Sequence, residues 1–396
     1  MSGRECSFAS DLSCSSTGST TPNSSTISDS DKPLPTIPQP LTAPSTPPPI
    51  IQDTINPNHV DLILHLTSER GKDMFNLATQ YGPYNDNITL GLRIGIEHPY
   101  LLHVLLAFAS RHLAFLNPQR RKHYLDQAVS LQTRAVSLFN SRFSHVLLAG
   151  KVDQNNCVPV LVFSSVLGNH LLADALLSST RSSTCQKGAD SSCSPLIDPV
   201  EEGSCLDLFL DRYVQCTTVH RGIYTIATTA WSLLMQSDIA PILVCSLRVT
   251  SRVPTGSQCN LLWELIDIST SLSEEEKEGC RRSIKYLQVG LDALLAERSG
   301  TGKEEEEEER ERQNGNERYQ MVFSWTFLVP PEVTAMLAAK RPEALVLLGW
   351  YALLLHYARD MWQVGGAGRY ILRALLENLA PDWHCWLEHP REVMGL

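Results

Sequence analysis

The architecture of this chain depends on one segment, Arg341-Pro342-Glu343-Ala344-Leu345-Val346-Leu347-Leu348-Gly349-Trp350-Tyr351-Ala352-Leu353-Leu354-Leu355. Proline is favoured in the first turn of a helix, so Pro342 predicts a helix start. The residues that follow are apolar on an unusually wide face, which is typical of a helix at the centre of a domain. The apolar run from Ala344 to Leu355 has 12 residues, whereas a membrane-spanning helix needs about 18 to 20. We therefore predict a core helix and no membrane span.

A corner between two helices is predicted C-terminal to this segment, where the first helix stops at Gly365-Gly366. A helix precedes these glycines, whereas a dinucleotide-binding fingerprint follows a strand, so the glycines do not indicate a nucleotide site. A second, amphipathic helix is predicted from there to Pro381. Its apolar positions recur every three or four residues, at Tyr370, Ile371, Ala374, Leu375 and Leu379.

Two further helices have clear signals earlier in the chain. Asn117-Pro118 predicts a helix start, and it precedes an apolar stripe at Tyr124, Ala128, Leu131, Ala135, Leu138 and Phe139. Ser273 and Glu276 have the spacing of a capping box, ahead of Ile284, Leu287, Leu291 and Leu294. No convincing alternation of polar and apolar residues indicates a strand. The predicted fold class is all-α.

The composition divides the chain into segments. Residues 10–55 are rich in Ser, Thr and Pro and have too few apolar residues to offset the entropy of ordering, so they are predicted to be a disordered linker. The helical domain is predicted at 56–396. Two polar or glycine-containing segments within it, near 178–204 and 299–316, are predicted to be mobile surface loops.

Charge and cysteine content limit the class of protein. The formal net charge is −10, of which the Glu-rich run from Lys303 to Arg312 contributes −4, because seven Glu face three basic residues. The chain is therefore not suited to sequence-independent binding of nucleic acid. Its 11 cysteines are odd in number and include no CxxC pair, which favours a reduced, intracellular protein.

The sequence contains no catalytic motif that predicts an enzyme. GxSxG and HExxH are absent, and Gly300-Thr301-Gly302-Lys303 is followed by Glu304 where a phosphate loop needs Ser or Thr. His384, Cys385 and His389 are compatible with a metal cluster or with an aromatic packing cap beside Trp383 and Trp386, and their spacing matches no common zinc pattern.

Two more groups of residues leave alternatives open. His98, His103 and His112 are compatible with ordinary hydrogen-bonded histidines or with catalytic ones. Trp350, Tyr351 and Trp362 are compatible with an apolar ligand pocket or with plain core packing.

The segment Pro99–Ala114, with the sequence PYLLHVLLAFASRHLA, resembles the signature helix of fungal binuclear-zinc-cluster transcription factors of the sterol uptake control type. Tyr124, Ala128 and Gln132 continue the pattern, as does Arg221-Gly222-Ile223 ahead of Trp231-Ser232-Leu233-Leu234. The C-terminal block looks like the same family, with a Pro-x-Ala-Leu helix followed by Trp362, Gly365, Trp386 and Pro390. The similarity covers roughly residues 58–396.

The resemblance implies a DNA-reading module in front of this domain. In that family six cysteines hold two zinc ions and place a helix in the major groove. Gly3-Arg4-Glu5-Cys6-Ser7-Phe8 is similar to the end of such a cluster, so residues 1–9 are predicted to be its remnant, with Cys6 as the last ligand. The other five cysteines are absent. Zinc and DNA binding are thus expected only in a full-length form, and this chain is either an incomplete sequence or a natural short form.

The resemblance also implies a function for the helical domain. It implies a homodimeric nuclear regulator, with possible shuttling to the cytoplasm, that controls sterol or secondary-metabolite genes and binds a sterol or another apolar metabolite. The ligand-binding residues it implies are Leu348, Trp350, Tyr351, Trp362 and Gly366. The chain departs from the family at Gly349-Trp350 and at Gly366, which leaves the ligand open. The alternative is a helical adaptor or scaffold, or a competing short form that does not bind DNA.

Overall fold

The computed structural model describes residues 56–68, 70, 71, 74, 84–148, 152–185, 205–295 and 318–396. Within these ranges the regular structure is α-helix with short 3-10 segments, and no β-strand is present. The predicted all-α class is therefore confirmed. The predicted cluster remnant with Cys6, the predicted linker and the predicted loop at 299–316 lie outside the described residues.

The helices follow one another in this order: α1 (Pro57–Thr67), α2 (Tyr84–Glu97), α3 (Pro99–Leu116), α4 (Arg121–Leu148), α5 (Cys157–Cys185), α6 (Cys205–Thr229), α7 (Trp231–Leu234), α8 (Ala240–Thr250), α9 (Asn260–Ile268), α10 (Glu274–Leu295), α11 (Arg318–Leu328), α12 (Pro331–Ala338), α13 (Pro342–Tyr357), α14 (Ala367–Asn378) and α15 (Glu388–Met394). Short 3-10 helices span Pro118–Arg120 and Pro381–Leu387. Residues 55–396 form one compact unit.

The N-terminal hydrophobic cluster is built around α3, which packs against α1, α2, α4 and α5. The stripe predicted on α4 is confirmed at its first four positions, which are buried: Tyr124, Ala128, Leu131 and Ala135. The start of α4 differs from the prediction. Pro118 begins a 3-10 turn, and the Asn117 amide donates to the Leu113 carbonyl at 3.1 Å, so this side chain ends α3 and does not cap α4.

The C-terminal hydrophobic cluster surrounds α13, whose residues 343–355 are all buried. This burial confirms the prediction of a central core helix. Each fully buried Leu or Val side chain contributes about 1.5–3 kcal/mol to the stability of the fold. The helix ends at Tyr357, earlier than the predicted stop at Gly365. A turn of nine residues, 358–366, then reverses the chain into α14. Gly365 has φ +49°, a left-handed conformation that glycine adopts without strain.

The capping box predicted at the start of α10 is confirmed. The Ser273 N–H donates to Glu276 Oε2 at 2.8 Å, and the Glu276 N–H donates to Ser273 Oγ at 3.2 Å. Two backbone donors of the first turn, which have no partner inside the helix, are thereby satisfied.

Loss of this cap should have a measurable effect on stability. We expect Ser273→Ala to lower the free energy of unfolding by about 1 kcal/mol, because an N-cap hydroxyl is lost. Urea unfolding followed by circular dichroism measures the difference. The control is Ser130→Ala on the exposed face of α4, where alanine is a better helix former and no loss is expected. Equal destabilisation by both substitutions would contradict the capping role.

The first part of the loop predicted at 178–204 is helical. Helix α5 continues to Cys185, eight residues into that segment, because serine and threonine are only mildly unfavourable in a helix that is already propagating. Residues 186–204 lie outside the described part of the chain.

Two helices are long and apolar enough to cross a membrane by length and composition, Pro99–Leu116 and Cys157–Ser178. A third span is counted if the bent pair α11–α12, with 78° between its helices, is taken as one. In the fold, 67% and 61% of the first two windows are buried against the rest of the protein. Neither helix is an uninterrupted apolar run, because polar or charged residues such as Ser110, Arg111 and Asp174 interrupt them. The absence of a membrane span therefore stays a prediction.

Candidate functional site

An apolar cavity of ≈ 820 Å³ lies between α2, α3, α5, α6, α8 and α11. This volume is in the range of pockets that hold drug-sized molecules, about 300–1,000 Å³. Its walls come from both hydrophobic clusters, since Leu105 and Leu161 belong to the N-terminal cluster and Phe323 to the C-terminal one.

The lining follows the helical repeat. Each of the four longer walls presents residues three or four positions apart, so that one face of each helix turns toward the cavity. These faces are Leu161, Val162, Ser165, Val166 and Asn169 on α5; His220, Ile223, Tyr224, Ala227 and Thr228 on α6; Ile242, Leu243, Ser246, Leu247 and Thr250 on α8; and Gln320, Phe323, Ser324, Phe327 and Leu328 on α11. Asn87, Ile88, Gly91, Leu105 and Trp231 complete the wall.

The cavity has a solvent-exposed end and a buried end. Tyr224 and Leu247 are 52% and 49% exposed and form the rim. Leu105, His220 and Phe323 are buried and form the inner end. A ligand can therefore enter beside α6 and α8, so that the end that enters first contacts the inner wall.

The lining residues that belong to the described ranges include no Asp, Glu, Lys or Arg. The polar lining groups are amides, hydroxyls and one imidazole. Gln320 Nε2 donates to Ser246 Oγ at 2.8 Å and so joins α11 to α8 across the cavity wall. The site suits a molecule that is mostly apolar and makes a few hydrogen bonds.

His220 is the most buried polar side chain of the wall. Its Nδ1 lies 2.7 Å from the Thr326 hydroxyl and 3.8 Å from Cys216 Sγ. Burial lowers the pKa of His220 to about 3, so the ring is neutral at physiological pH. The ring rests on Gly168 of α5, where a Cβ would lie 1.7 Å from its Cδ2 atom. Glycine at this position is what lets α5 and α6 approach closely enough to bring His220 to the inner end.

Two of the five predicted ligand residues are engaged in packing around α13. Trp350 donates from Nε1 to the Trp386 carbonyl at 3.0 Å and stacks on His389 with 5.5 Å between ring centroids. Tyr351 donates to the Val322 carbonyl at 2.7 Å and stacks on Trp325 at 4.4 Å. Leu348, two residues before Trp350, is fully buried.

Trp362 and Gly366 lie on the turn between α13 and α14. Trp362 packs on His112 at 5.0 Å between ring centroids and donates from Nε1 to the Met74 carbonyl at 3.2 Å. Gly366 is exposed just before α14. None of the five predicted residues is among those that line the cavity. The structure places Leu348, Trp350, Tyr351 and Trp362 in core packing, and ligand binding by the five stays a prediction.

The true lining was not apparent in the sequence, because its residues come from seven helices, α2, α3, α5, α6, α7, α8 and α11, most of which are distant in the chain. One signal was available. Small or polar residues such as Gly91, Ser165, Asn169 and Ser246 interrupt otherwise apolar helix faces. In the structure these four residues line the cavity.

Three of the histidines noted in the sequence have ordinary hydrogen-bonding partners, whereas the buried Nδ1 of His98 has none among the described residues. His112 Nδ1 lies 3.1 Å from His65 Nε2, and His103 Nδ1 lies 2.7 Å from the Pro99 carbonyl. His384 Nε2 lies 3.2 Å from the Leu379 carbonyl. Across the described ranges, no three His, Cys, Asp or Glu side chains are grouped so that they could hold a metal ion.

Comparison of the chain with protein-family models, curated protein sequences and solved structures found no significant match. Two features of the chain therefore bear on its function: the geometry of the cavity, and the motifs of α3 and the C-terminal block. Of these two, the cavity is the more direct, because it is a physical space of defined size and chemistry.

Proposed function

We propose that residues 56–396 are the ligand-sensing domain of a fungal transcriptional regulator of the binuclear-zinc-cluster class, and that the ligand is a sterol or another apolar metabolite. The observation that supports ligand sensing is the ≈ 820 Å³ apolar cavity. Protein interiors are closely packed and contain few voids larger than a water molecule. Atoms around such a space lack part of their van der Waals contacts, which a bound apolar molecule restores.

The position of the cavity suggests how binding is transmitted. A molecule that touches Leu105 and Leu161 on one side and Phe323 on the other bridges the two hydrophobic clusters. Its binding free energy then favours the arrangement in which both walls contact it. A ligand shifts a conformational equilibrium only by its difference in affinity for the two states, and a bridging site provides that difference.

The proposed role in transcriptional regulation is based on the family resemblance of Pro99–Ala114 and of the C-terminal block. In this proposal the domain dimerises and acts in the nucleus, and DNA is bound only through a zinc cluster of which Cys6 would be the last ligand. The chain by itself uses no cofactor and catalyses no reaction. The second candidate, a helical adaptor or a competing short form without DNA binding, needs no ligand, and the cavity therefore favours the sensor.

A substitution that fills the cavity tests the proposal. Ala227 lines the cavity on α6, so we expect Ala227→Phe to abolish binding of ergosterol and of the neutral dye Nile red while the fold is kept. Thermal shift and the fluorescence of Trp231, which also lines the cavity, report binding. A ligand at 100 times its dissociation constant stabilises a protein by about 2.7 kcal/mol, and the variant should lose this gain.

The matched control is Thr225→Phe, which adds the same ring on the exposed side of α6 and should bind as the wild type does. The proposed transcriptional regulation is tested with the full chain fused to a DNA-binding module of known specificity. Reporter output should respond to ergosterol in the wild type and in Thr225→Phe, and not in Ala227→Phe. A reporter that ignores lipid in all three proteins would favour the adaptor, and a wild type that binds none of the lipids would overturn ligand sensing.

A further inference from the structure

We infer that the ligand is a neutral molecule with a hydroxyl group, which hydrogen-bonds to the buried His220 and to the half-buried Asn169 in the wall of the cavity. This inference rests on the proposed ligand-sensing function and adds the chemical class of the ligand. It follows from three features of the wall: its lack of charge, the protonation pattern of the His220 ring, and the position of Asn169.

The lack of charge selects against acids and amines. Among the described residues, the lining contains no ionised side chain, and a buried carboxylate or ammonium without a partner is strongly disfavoured. His220 does not supply a positive charge, because burial keeps its ring neutral. An anionic head group would reach water at the rim, beside Tyr224 and Leu247. The ligand would then bind in the opposite orientation, with its apolar part at the inner end of the cavity.

The hydrogen bonds of Thr326 determine which nitrogen of His220 is protonated. The Thr326 hydroxyl lies 2.6 Å from the Phe323 carbonyl and 2.7 Å from His220 Nδ1. A hydroxyl has one hydrogen, and a carbonyl can only accept, so this hydrogen points to Phe323. The hydrogen between Thr326 and His220 must then belong to Nδ1. In a neutral ring the other nitrogen, Nε2, is an acceptor.

The Nε2 acceptor is left for a ligand. His220 is 1% exposed and lines the cavity, and within the described residues its Nε2 has no hydrogen-bond partner. Nε2 lies over Gly168, at 2.0 Å from where a Cβ would be. The next residue of α5 is Asn169, which is half-buried and also lines the cavity, and whose amide likewise has no partner in the part of the chain that the structure describes.

These two side chains match a hydroxyl better than the other neutral oxygen groups. A ligand O–H can donate to His220 Nε2 while its oxygen accepts from the Asn169 amide. A ketone only accepts, so it leaves Nε2 unsatisfied. A hydrocarbon leaves both groups unsatisfied, and unmade hydrogen bonds in a buried site reduce affinity.

Matched ligands test the inference on the full chain. The first series is cholestane, cholestanol, cholestanone and cholestanol sulfate; the second is hexadecane, hexadecanol and hexadecanoate. Displacement of Nile red gives the affinities. We expect each alcohol to bind about tenfold more tightly than its hydrocarbon or ketone, as one or two added hydrogen bonds predict. The sulfate and the carboxylate should bind more weakly than the alcohols.

Two variants locate the preference. Asn169→Leu keeps the size of the side chain and should abolish the preference for alcohols without weakening cholestane. Thr228→Val is the control, because Thr228 lines the cavity about 12 Å further along α6 and its hydroxyl already donates to the Tyr224 carbonyl at 2.9 Å. This variant should keep the preference.

The outcomes separate this inference from the function on which it rests. Equal affinities for alcohol, ketone and hydrocarbon in the wild type, or tight binding of hexadecanoate, would overturn the inference and leave an apolar sensor. A preference that survives in Asn169→Leu would overturn the assigned position. If no member of either series displaces Nile red from the wild type, ligand sensing itself fails.

Discussion

Gly368→Ala is expected to lower the free energy of unfolding by about 3 kcal/mol, at the upper end of the usual range for overpacking. Gly368 lies in the first turn of α14, where that helix crosses α13. A Cβ at this position would lie 2.4 Å from the Ala352 carbonyl oxygen and 2.8 Å from the His356 backbone nitrogen. Both atoms belong to the backbone of a buried helix, so they cannot move aside as a flexible side chain could.

The control is a second helical glycine with open space around it. A Cβ on Gly222 of α6 meets nothing within 4 Å, and alanine is the better helix former. Gly222→Ala should therefore be neutral or stabilise by up to about 1 kcal/mol. Urea unfolding of both variants decides the comparison, and a Gly368→Ala protein as stable as the wild type would show that α13 and α14 do not approach so closely.

Acidification between pH 6.5 and 4 is expected to destabilise the fold strongly through its buried histidines. Burial lowers the pKa of His112 to about 4 and that of His220 to about 3, and it lowers the pKa of the fully buried His170. The neighbouring His65 lowers the pKa of His112 further. These rings are neutral in the folded protein, whereas the unfolded chain takes up protons near pH 6.5.

The sign follows from proton binding. The unfolded state binds more protons over this range, so stability is complete above pH 6.5 and falls with decreasing pH toward the folded-state pKa values. One pKa unit corresponds to about 1.4 kcal/mol. His112 and His220 should therefore each contribute a loss on the order of 3 kcal/mol by pH 4.

The measurement is the free energy of unfolding as a function of pH. In His112→Gln one titrating ring is removed, and the slope between pH 6.5 and 4 should be smaller than in the wild type. The comparison uses slopes, because the loss of the contact between His112 and Trp362 lowers stability at every pH. Identical slopes in the two proteins would show that His112 does not become protonated on unfolding.

Several features could be predicted because their causes are local. The capping box at Ser273 and Glu276 needs only three residues of separation, and the stripe on α4 needs only the helical repeat. The central position of α13 followed from its composition, since a helix that is apolar all round has to be buried. The same reasoning failed at the helix end, because the chain turns at Tyr357 and continues through residues 358–366 without helix.

The site was less predictable than the fold. Trp350, Tyr351 and Trp362 are aromatic residues that suit a pocket or a core equally well, and their role depends on distant partners. The Trp362 N–H donates to the carbonyl of Met74, which is 288 positions earlier in the chain. No local pattern in the sequence encodes such a contact.

The amino-acid pattern alone was sufficient for the all-α class, the central helix α13 and the capped start of α10, because each depends on residues within a few turns of one helix. The folded chain was needed to reveal the cavity, the protonation of His220 and the engagement of the predicted aromatic residues in packing. These depend on which helix faces meet, and that is set by the packing of the whole domain, in which α5, α6, α8 and α11 leave a space that no single helix defines.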